Sequence, residues 1–203
     1  SAVLDLLMHD YLTQLSGSSK YLKLPFIEVG QELIKDAKGD LIKTMEVKGI
    51  TFRKIKAEWT DGPKSTNGSY ALYPVMCENV LIDSCIAIGA SDAGIYVGQS
   101  KNIKVLNSYA SQNVAGIEIE NSLYAEVYNN QAIGNTGGIL VFDLPDLVQK
   151  KGGHVLVYDN IVQENNLPNF APKGNIVGNV PQGTGVLVLA TNNVEIFNNK
   201  ITN

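Results

Sequence analysis

The sequence predicts an all-β solenoid, and three observations predict it. The first is a repeat. The stretches 93–97 (Ala-Gly-Ile-Tyr-Val), 115–119 (Ala-Gly-Ile-Glu-Ile) and 137–141 (Gly-Gly-Ile-Leu-Val) align, with Gly94, Gly116 and Gly138 each 22 residues after the last. A fourth copy at 184–188 follows two insertions. A period of this size marks coils that cannot bury their apolar face alone and must stack. The second observation is alternation of apolar and other residues over four or five positions, the period of a strand. The third is that Asn, Asp, Gly and Ser separate these short runs, as turns require. Together they read as a right-handed parallel β-helix of about 22 residues per coil, stacked at roughly 4.8 Å.

In chain order, Val3, Leu4, Leu6, Leu7, Tyr11, Leu12 and Leu15 follow helical spacing, with Asp5, Asp10 and Gln14 opposite. Residues 1 to 24 are therefore expected to form an amphipathic helix capping the first coil, within an N-terminal cap and lead-in spanning 1–31. A dimerisation helix is the alternative. Residues 26–46 should form a first, irregular coil of the 32–203 domain. Each Gly strand has a strand upstream of it, at 79–82, 102–105, 125–127, 154–157 and 193–196, with 49–52 an earlier copy. Asn107, Asn129, Asn160 and Asn198 recur after that strand. Asn113, Asn135 and Asn165 recur before the Gly strand, where stacked Asn side chains can bond along a ladder. The chain stops soon after a new coil begins, so a longer parent or end-to-end pairing is expected. Its start at Ser1, without a leader, suits a mature, trimmed or engineered chain.

Composition narrows the function classes. The 203 residues are 44% hydrophobic with a net charge of −4, which supports one domain with a continuous core. No basic patch with interleaved aromatics is present, so no nucleic-acid partner is expected. No apolar run approaches the roughly 18 residues of a membrane span. Cys77 and Cys85 read as small buried residues. They and the distant His9 and His154 make no metal site. His154 should be structural or solvated.

Insertions locate a surface site. Loops 60–69 and 166–183 precede Gly-type strands, and 143–152 follows one, so all three border a single sheet. The two same-edge loops lie four coils apart, roughly 19 Å, and would wall a groove. Trp59 and Phe170 should anchor these loops. Alternation points Ile95, Val97, Ile117, Ile119, Ile139, Val141, Val186 and Val188 inward. Outward lie two ladders, Tyr73-Tyr96-Glu118-Leu140-Leu187 and Val75-Gly98-Glu120-Phe142-Leu189. Glu118 and Glu120 should sit about 6.6–7 Å apart at Cβ, overlapping the roughly 6.5–9.5 Å carboxyl separation of inverting glycosidases. Glu118, Glu120 and Asp143 are the candidate catalytic residues. Tyr73, Tyr96, Gln99, Asn121 and Phe142 are the candidate substrate contacts, with the tyrosines as a stacking platform for sugar rings. The plain alternatives are a solvated Glu pair and cross-strand Tyr packing. Asp92 reads as a turn residue bonded to backbone.

The runs AEWT (57–60), GASDAGIYVGQS (89–100), AGIEIEN (115–121), GGILVFDLP (137–145) and PNFAP (168–172) make the chain resemble a known group. It resembles the bacterial parallel β-helix repeat proteins of the pectate-lyase-like superfamily, and within it a poorly characterised subgroup, over roughly 32–203. The resemblance implies a right-handed β-helix and an exported bacterial protein, periplasmic or extracellular. The superfamily holds polysaccharide lyases, hydrolases and uronate epimerases. The epimerases' Asp-Pro-His-Asp run, the Lys- and Arg-rich catalytic strand of pectate lyases and the Gly-Gly-x-Gly-x-Asp calcium repeats are missing here. No catalytic residue carries over by motif. A floor of Glu118, Glu120 and Asp143 would repel a polyuronate unless Ca²⁺ bridged the two, whereas a neutral glycan needs no cation. The expectation is a polysaccharide-binding or polysaccharide-modifying protein. The alternative is a non-catalytic, self-assembling solenoid, native or an engineered scaffold, pairing through the N-terminal helix or the solenoid ends.

Overall fold

The computed structural model describes residues 27–29, 33–35, 41–44 and 47–203. Three strands precede the regular coils: β1 (Ile27–Val29), β2 (Leu33–Lys35) and β3 (Leu41–Thr44). The coils then follow as β4 (Val47–Arg53), β5 (Lys56–Glu58), β6 (Tyr70–Pro74), β7 (Cys77–Asp83), β8 (Ile86–Ile88), β9 (Ala93–Gly98), β10 (Lys101–Leu106), β11 (Tyr109–Ser111), β12 (Ala115–Glu120), β13 (Leu123–Tyr128), β14 (Gln131–Ile133), β15 (Gly137–Phe142), β16 (Gly153–Tyr158), β17 (Ile161–Gln163), β18 (Thr184–Leu189), β19 (Asn192–Phe197) and β20 (Lys200–Thr202). Every third strand pairs in parallel, giving three six-stranded sheets: β1-β6-β9-β12-β15-β18, β4-β7-β10-β13-β16-β19 and β5-β8-β11-β14-β17-β20. The stacked parallel coils of the expected β-helix are therefore present. The expected helix over residues 1–24 lies outside the described residues. The expected irregular first coil is a strand and a hairpin: β1 extends the first sheet beside β6, while β2 and β3 pair antiparallel.

Ile95, Val97, Ile117, Ile119, Ile139 and Val141 point into the core as alternation requires, and Val186 packs against it half-buried. Val188, also assigned inward, is 41% exposed because no further coil covers β18 among the described residues. The third strand of each coil was not foreseen. It is three residues long, and from β5 to β17 its central side chain is small and buried, Ala57, Ala87, Ala110, Ala132 or Val162, with Ser111 buried as well in β11. One inward residue shows no alternation.

Two polar ladders stitch the corners. Asn113, Asn135 and Asn165 are fully buried; Asn113 Nδ2 donates to Asn135 Oδ1 and Asn135 Nδ2 to Asn165 Oδ1, each at 3.0 Å. The same amides also bond the carbonyls of Ala87, Ala110 and Ala132. A second ladder runs through Asn130, Asn160 and Asn199. Asn160 therefore differs from the sequence expectation. The corner that Asn107, Asn129 and Asn198 occupy with positive φ is taken by Asp159 in that coil, and Asn160 turns inward. Cys77 and Cys85 are buried, at the ends of ladders continued by Ser100 and Ser108.

The Asn ladder also explains the repeated glycine. A Cβ on Gly116 would stand 2.6 Å from the Gly138 carbonyl oxygen and 3.0 Å from Asn135 Nδ2. A Cβ on Gly138 would collide with Val162 Cγ1 and lie 2.5 Å from the Gly185 carbonyl oxygen. Gly138→Ala should therefore lose about 3 kcal/mol in urea unfolding, because the obstacle is packed backbone. A loss below about 0.5 kcal/mol would show that the coil spacing yields freely.

Candidate functional site

The register aligns the outward positions of the first sheet as alternation predicts. Glu118 lies between Tyr96 and Leu140, and Leu140 faces Leu187. Glu120 lies between Gly98 and Phe142, and Phe142 faces Leu189. What differs is exposure. A second apolar cluster covers this outer face, in which Tyr96, Val114, Leu140 and Phe142 pack with Tyr70, Tyr73, Leu144, Phe170, Val177 and Val180. Loop 166–183 supplies the cover. Asn169 Nδ2 donates to the carbonyls of Val177 and Val180, folding the loop onto the sheet around a 3₁₀ turn at Ile176–Asn179. Glu118 is 2% exposed and Glu120 8%, so the solvated-strand alternative is excluded.

Instead of an open groove, the structure forms a pocket of about 440 Å³. Its floor is Glu118, Glu120, Leu140, Phe142, Leu187 and Leu189, its rim includes Ser69, Tyr70, Asp92 and Leu144, and loop residues 174–177, 179 and 180 form a wall. Three carboxyl groups thus line one apolar space. Tyr96 Oη donates to Glu120 Oε2 at 2.8 Å, and Tyr70 Oη donates to Asp92 Oδ2 at 3.4 Å. Glu118 Oε1 has no hydrogen-bond partner among the described residues.

Burial pushes all three carboxyls up, since the charged form loses its water. Asp92 reaches about 7, from burial and the charge of Glu120, against hydrogen bonds from Tyr70 and Asn175. Glu118 rises well above the usual carboxylate range through burial, then Asp92 and Glu120. Glu120 rises less freely: burial and Asp143 raise it while the Tyr96 bond lowers it. Carboxyls raised by burial, with Asp92 near neutrality, are equipped for general acid and base work.

The remaining expected residues sit around the pocket rather than in it. Tyr73 stacks on Tyr70 at 4.2 Å with planes 1° apart, and Tyr96 lies against both at 4.9 and 4.6 Å. The ring faces meet one another, so Tyr73 and Tyr96 are not an open sugar platform. Asn121 is fully buried and pins the arm after β15, accepting from the Leu144 N–H at 2.7 Å and donating to the Leu144 and Gln149 carbonyls. The Asp143 carboxylate accepts the Gly152 N–H, and Gln99 accepts the Gln149 N–H. These three hold Leu144 at the rim. Phe142 is the exception and lines the pocket. Phe170 anchors its loop in the outer cluster, and Trp59 anchors loop 60–69 by packing against the core. His154 is exposed and stacks on Tyr124 at 5.1 Å.

Asp92 and Tyr70 are the site residues that sequence reasoning missed. Asp92 does bond backbone through its own main chain, but its side chain faces the pocket. The available signal was the period: the residues 22 and 44 positions on are Val114 and Thr136, both fully buried. An acid at that station is buried too.

Among the described residues, no group of three or more His, Cys, Asp and Glu gathers as a metal ion would require, and no helix is long and apolar enough to cross a membrane. No curated protein and no solved structure matches the chain. A family model described as the right-handed beta helix region matches residues 39–203, and with the three parallel sheets it places the chain in the right-handed β-helix family.

Proposed function

We propose that the pocket binds a short carbohydrate, or the end unit of a polysaccharide, and modifies it by acid–base chemistry. The observation that carries this reading is the Glu118 carboxyl: 2% exposed, one oxygen unpartnered, on the floor of a 440 Å³ pocket between Asp92 and Glu120. Retaining an unmet buried carboxyl costs stability, and sites that meet a ligand are where proteins tolerate it. Glu118 serves as general acid. Glu120, oriented by Tyr96, or Asp92, oriented by Tyr70, serves as base. At about 3.3 Å per residue, the Glu118 and Glu120 side chains leave one strand about 6.6 Å apart at Cβ, room for a water in an inverting hydrolysis. Leu140 and Phe142 meet the apolar face of the sugar, and the pocket's size suits one or two rings. Asp143, Asn121 and Gln99 position the rim. An exported bacterial protein meets such glycans, and no Ca²⁺ is needed for a substrate without carboxylates.

The test is an NMR-monitored incubation with oligomers and polymers of uronate and neutral sugars. The wild type should produce new sugar signals, and Glu118→Gln should slow their appearance by about 10²-fold or more. Unchanged spectra without line broadening for every sugar would overturn the reading. A second reading, non-catalytic self-association, is favoured by one observation. Among the described residues, Val188, Leu189, Ile196, Phe197 and Ile201 are exposed beside the edges of β18, β19 and β20, which no described strand pairs. Sedimentation across concentrations separates the two.

A further inference from the structure

The pocket has a one-sided charge. Asp92, Glu118 and Glu120 line it, and none of its lining residues is Lys, Arg or His. Ion pairs among the described residues lie elsewhere: Lys48–Glu78, Arg53–Asp83 and Lys104–Glu126 on the second sheet, Lys56–Glu58 on β5 and Lys64–Asp61 in loop 60–69. Among the described residues, no cation lines the pocket beside the three carboxyls. A compact metal ion needs converging oxygens, which the described residues do not gather. An organic ammonium has a looser requirement. It carries only donors, up to three, and reaches separated acceptors while its carbon frame lies on apolar walls. Here those walls are Leu140, Phe142 and Leu187 below and Ile176, Val177 and Val180 beside.

We infer that the pocket selects an amino sugar, its ammonium bonded to the unmet Glu118 carboxyl between Asp92 and Glu120, its ring on Leu140 and Phe142. This rests on the carbohydrate reading above. Acylating the amine removes the charge and adds a carbonyl acceptor facing carboxyl oxygens, so the N-acetylated sugar is rejected. Binding carries a proton balance: Asp92 or Glu120 releases its proton to solvent as it faces the incoming ammonium, while Glu118 keeps its proton and accepts through its unmet oxygen, and no other species is consumed.

Calorimetric titration of the full chain near pH 7 tests this with four probes: a β-1,4-linked glucosamine dimer, its di-N-acetylated form, the corresponding glucose dimer and cyclohexylamine. The glucosamine dimer should bind at least about tenfold more tightly than each of the others, with proton release visible across buffers of different ionisation enthalpy. Glu118→Gln should abolish that preference. Glu120→Gln, which leaves Glu118 in place, should reduce it, and thermal unfolding of each variant checks folding. Equal or tighter binding of the glucose or N-acetylated dimer overturns the amine inference and leaves the carbohydrate reading standing. Equal binding of cyclohexylamine, with no binding of the glucose or N-acetylated dimer, overturns the sugar. Binding of none overturns both.

Discussion

Replacing Asn135 with Ala should destabilise the solenoid by about 4 kcal/mol, more than any exposed Asn substitution in the chain. Asn135 is fully buried, and its side chain makes four hydrogen bonds. Its Nδ2 donates to the Ala110 carbonyl and to Asn165 Oδ1, each at 3.0 Å, and its Oδ1 accepts from Asn113 N at 3.1 Å and Asn113 Nδ2 at 3.0 Å. Alanine removes those four bonds from buried polar groups on the two flanking coils, where water cannot replace them. Each lost buried bond costs on the order of 1 kcal/mol, even though Asn113 Nδ2 keeps the Ala87 carbonyl and Asn165 Oδ1 keeps the Asn135 N–H. Asn107→Ala is the control. Asn107 sits at an exposed corner with φ of 52° and bonds Asp83 at 3.0 Å. It should lose about 1 kcal/mol, mostly the left-handed backbone penalty. Urea unfolding of both variants decides the matter. Comparable losses would mean that the buried ladder adds nothing beyond the corner turns.

That contrast also bounds what the sequence could reveal. Asn113, Asn135 and Asn165 recur at one station, so their ladder was legible. Asn160 was misplaced because Asp159 satisfies the same left-handed corner, and nothing local distinguishes the two residues. The strands of the first two sheets, five to seven residues long in the regular coils, carry enough alternation to be read, whereas β5, β8, β11, β14, β17 and β20 do not. The outward ladders of the candidate site were legible in register, down to Glu118 against Tyr96 and Leu140. Their burial was not. Phe170, Val177 and Val180 lie in a loop without period, so the sequence does not say that they fold over the sheet and convert an open floor into a pocket. The same cover raises the Glu118 pKa, which is why the chemistry of the site was the least legible part.

Raising the pH from about 4 to 8 should weaken the fold, and Asp92→Asn should remove much of that loss. A carboxyl whose folded pKa lies above its unfolded value binds more protons when folded. Its stabilising protonation is fully present below the unfolded pKa and is lost as pH rises through the folded one. For Asp92 the window runs from its ordinary 3.8 to about 7. At 1.36 kcal/mol per unit, that difference is about 4 kcal/mol. Glu118 and Glu120 are raised for the same first reason, burial, and act with the same sign. Asp83 opposes them: hydrogen bonds from Asn107 and Ser84, then Arg53, lower its pKa, so its contribution is lost only in stronger acid. The expected profile therefore peaks near pH 4 and descends toward 8. Asp92→Asn should match the wild type at pH 4 and exceed it at pH 8, since Asn still accepts the Tyr70 hydroxyl. Denaturant midpoints at pH 4, 6 and 8 measure this, and a flat or rising wild-type profile would sink it. The descent ties stability to the proposed ligand. The carboxyls that destabilise the empty pocket when ionised are the ones an ammonium would neutralise, so saturating glucosamine dimer should raise the midpoint more at pH 7 than at pH 4.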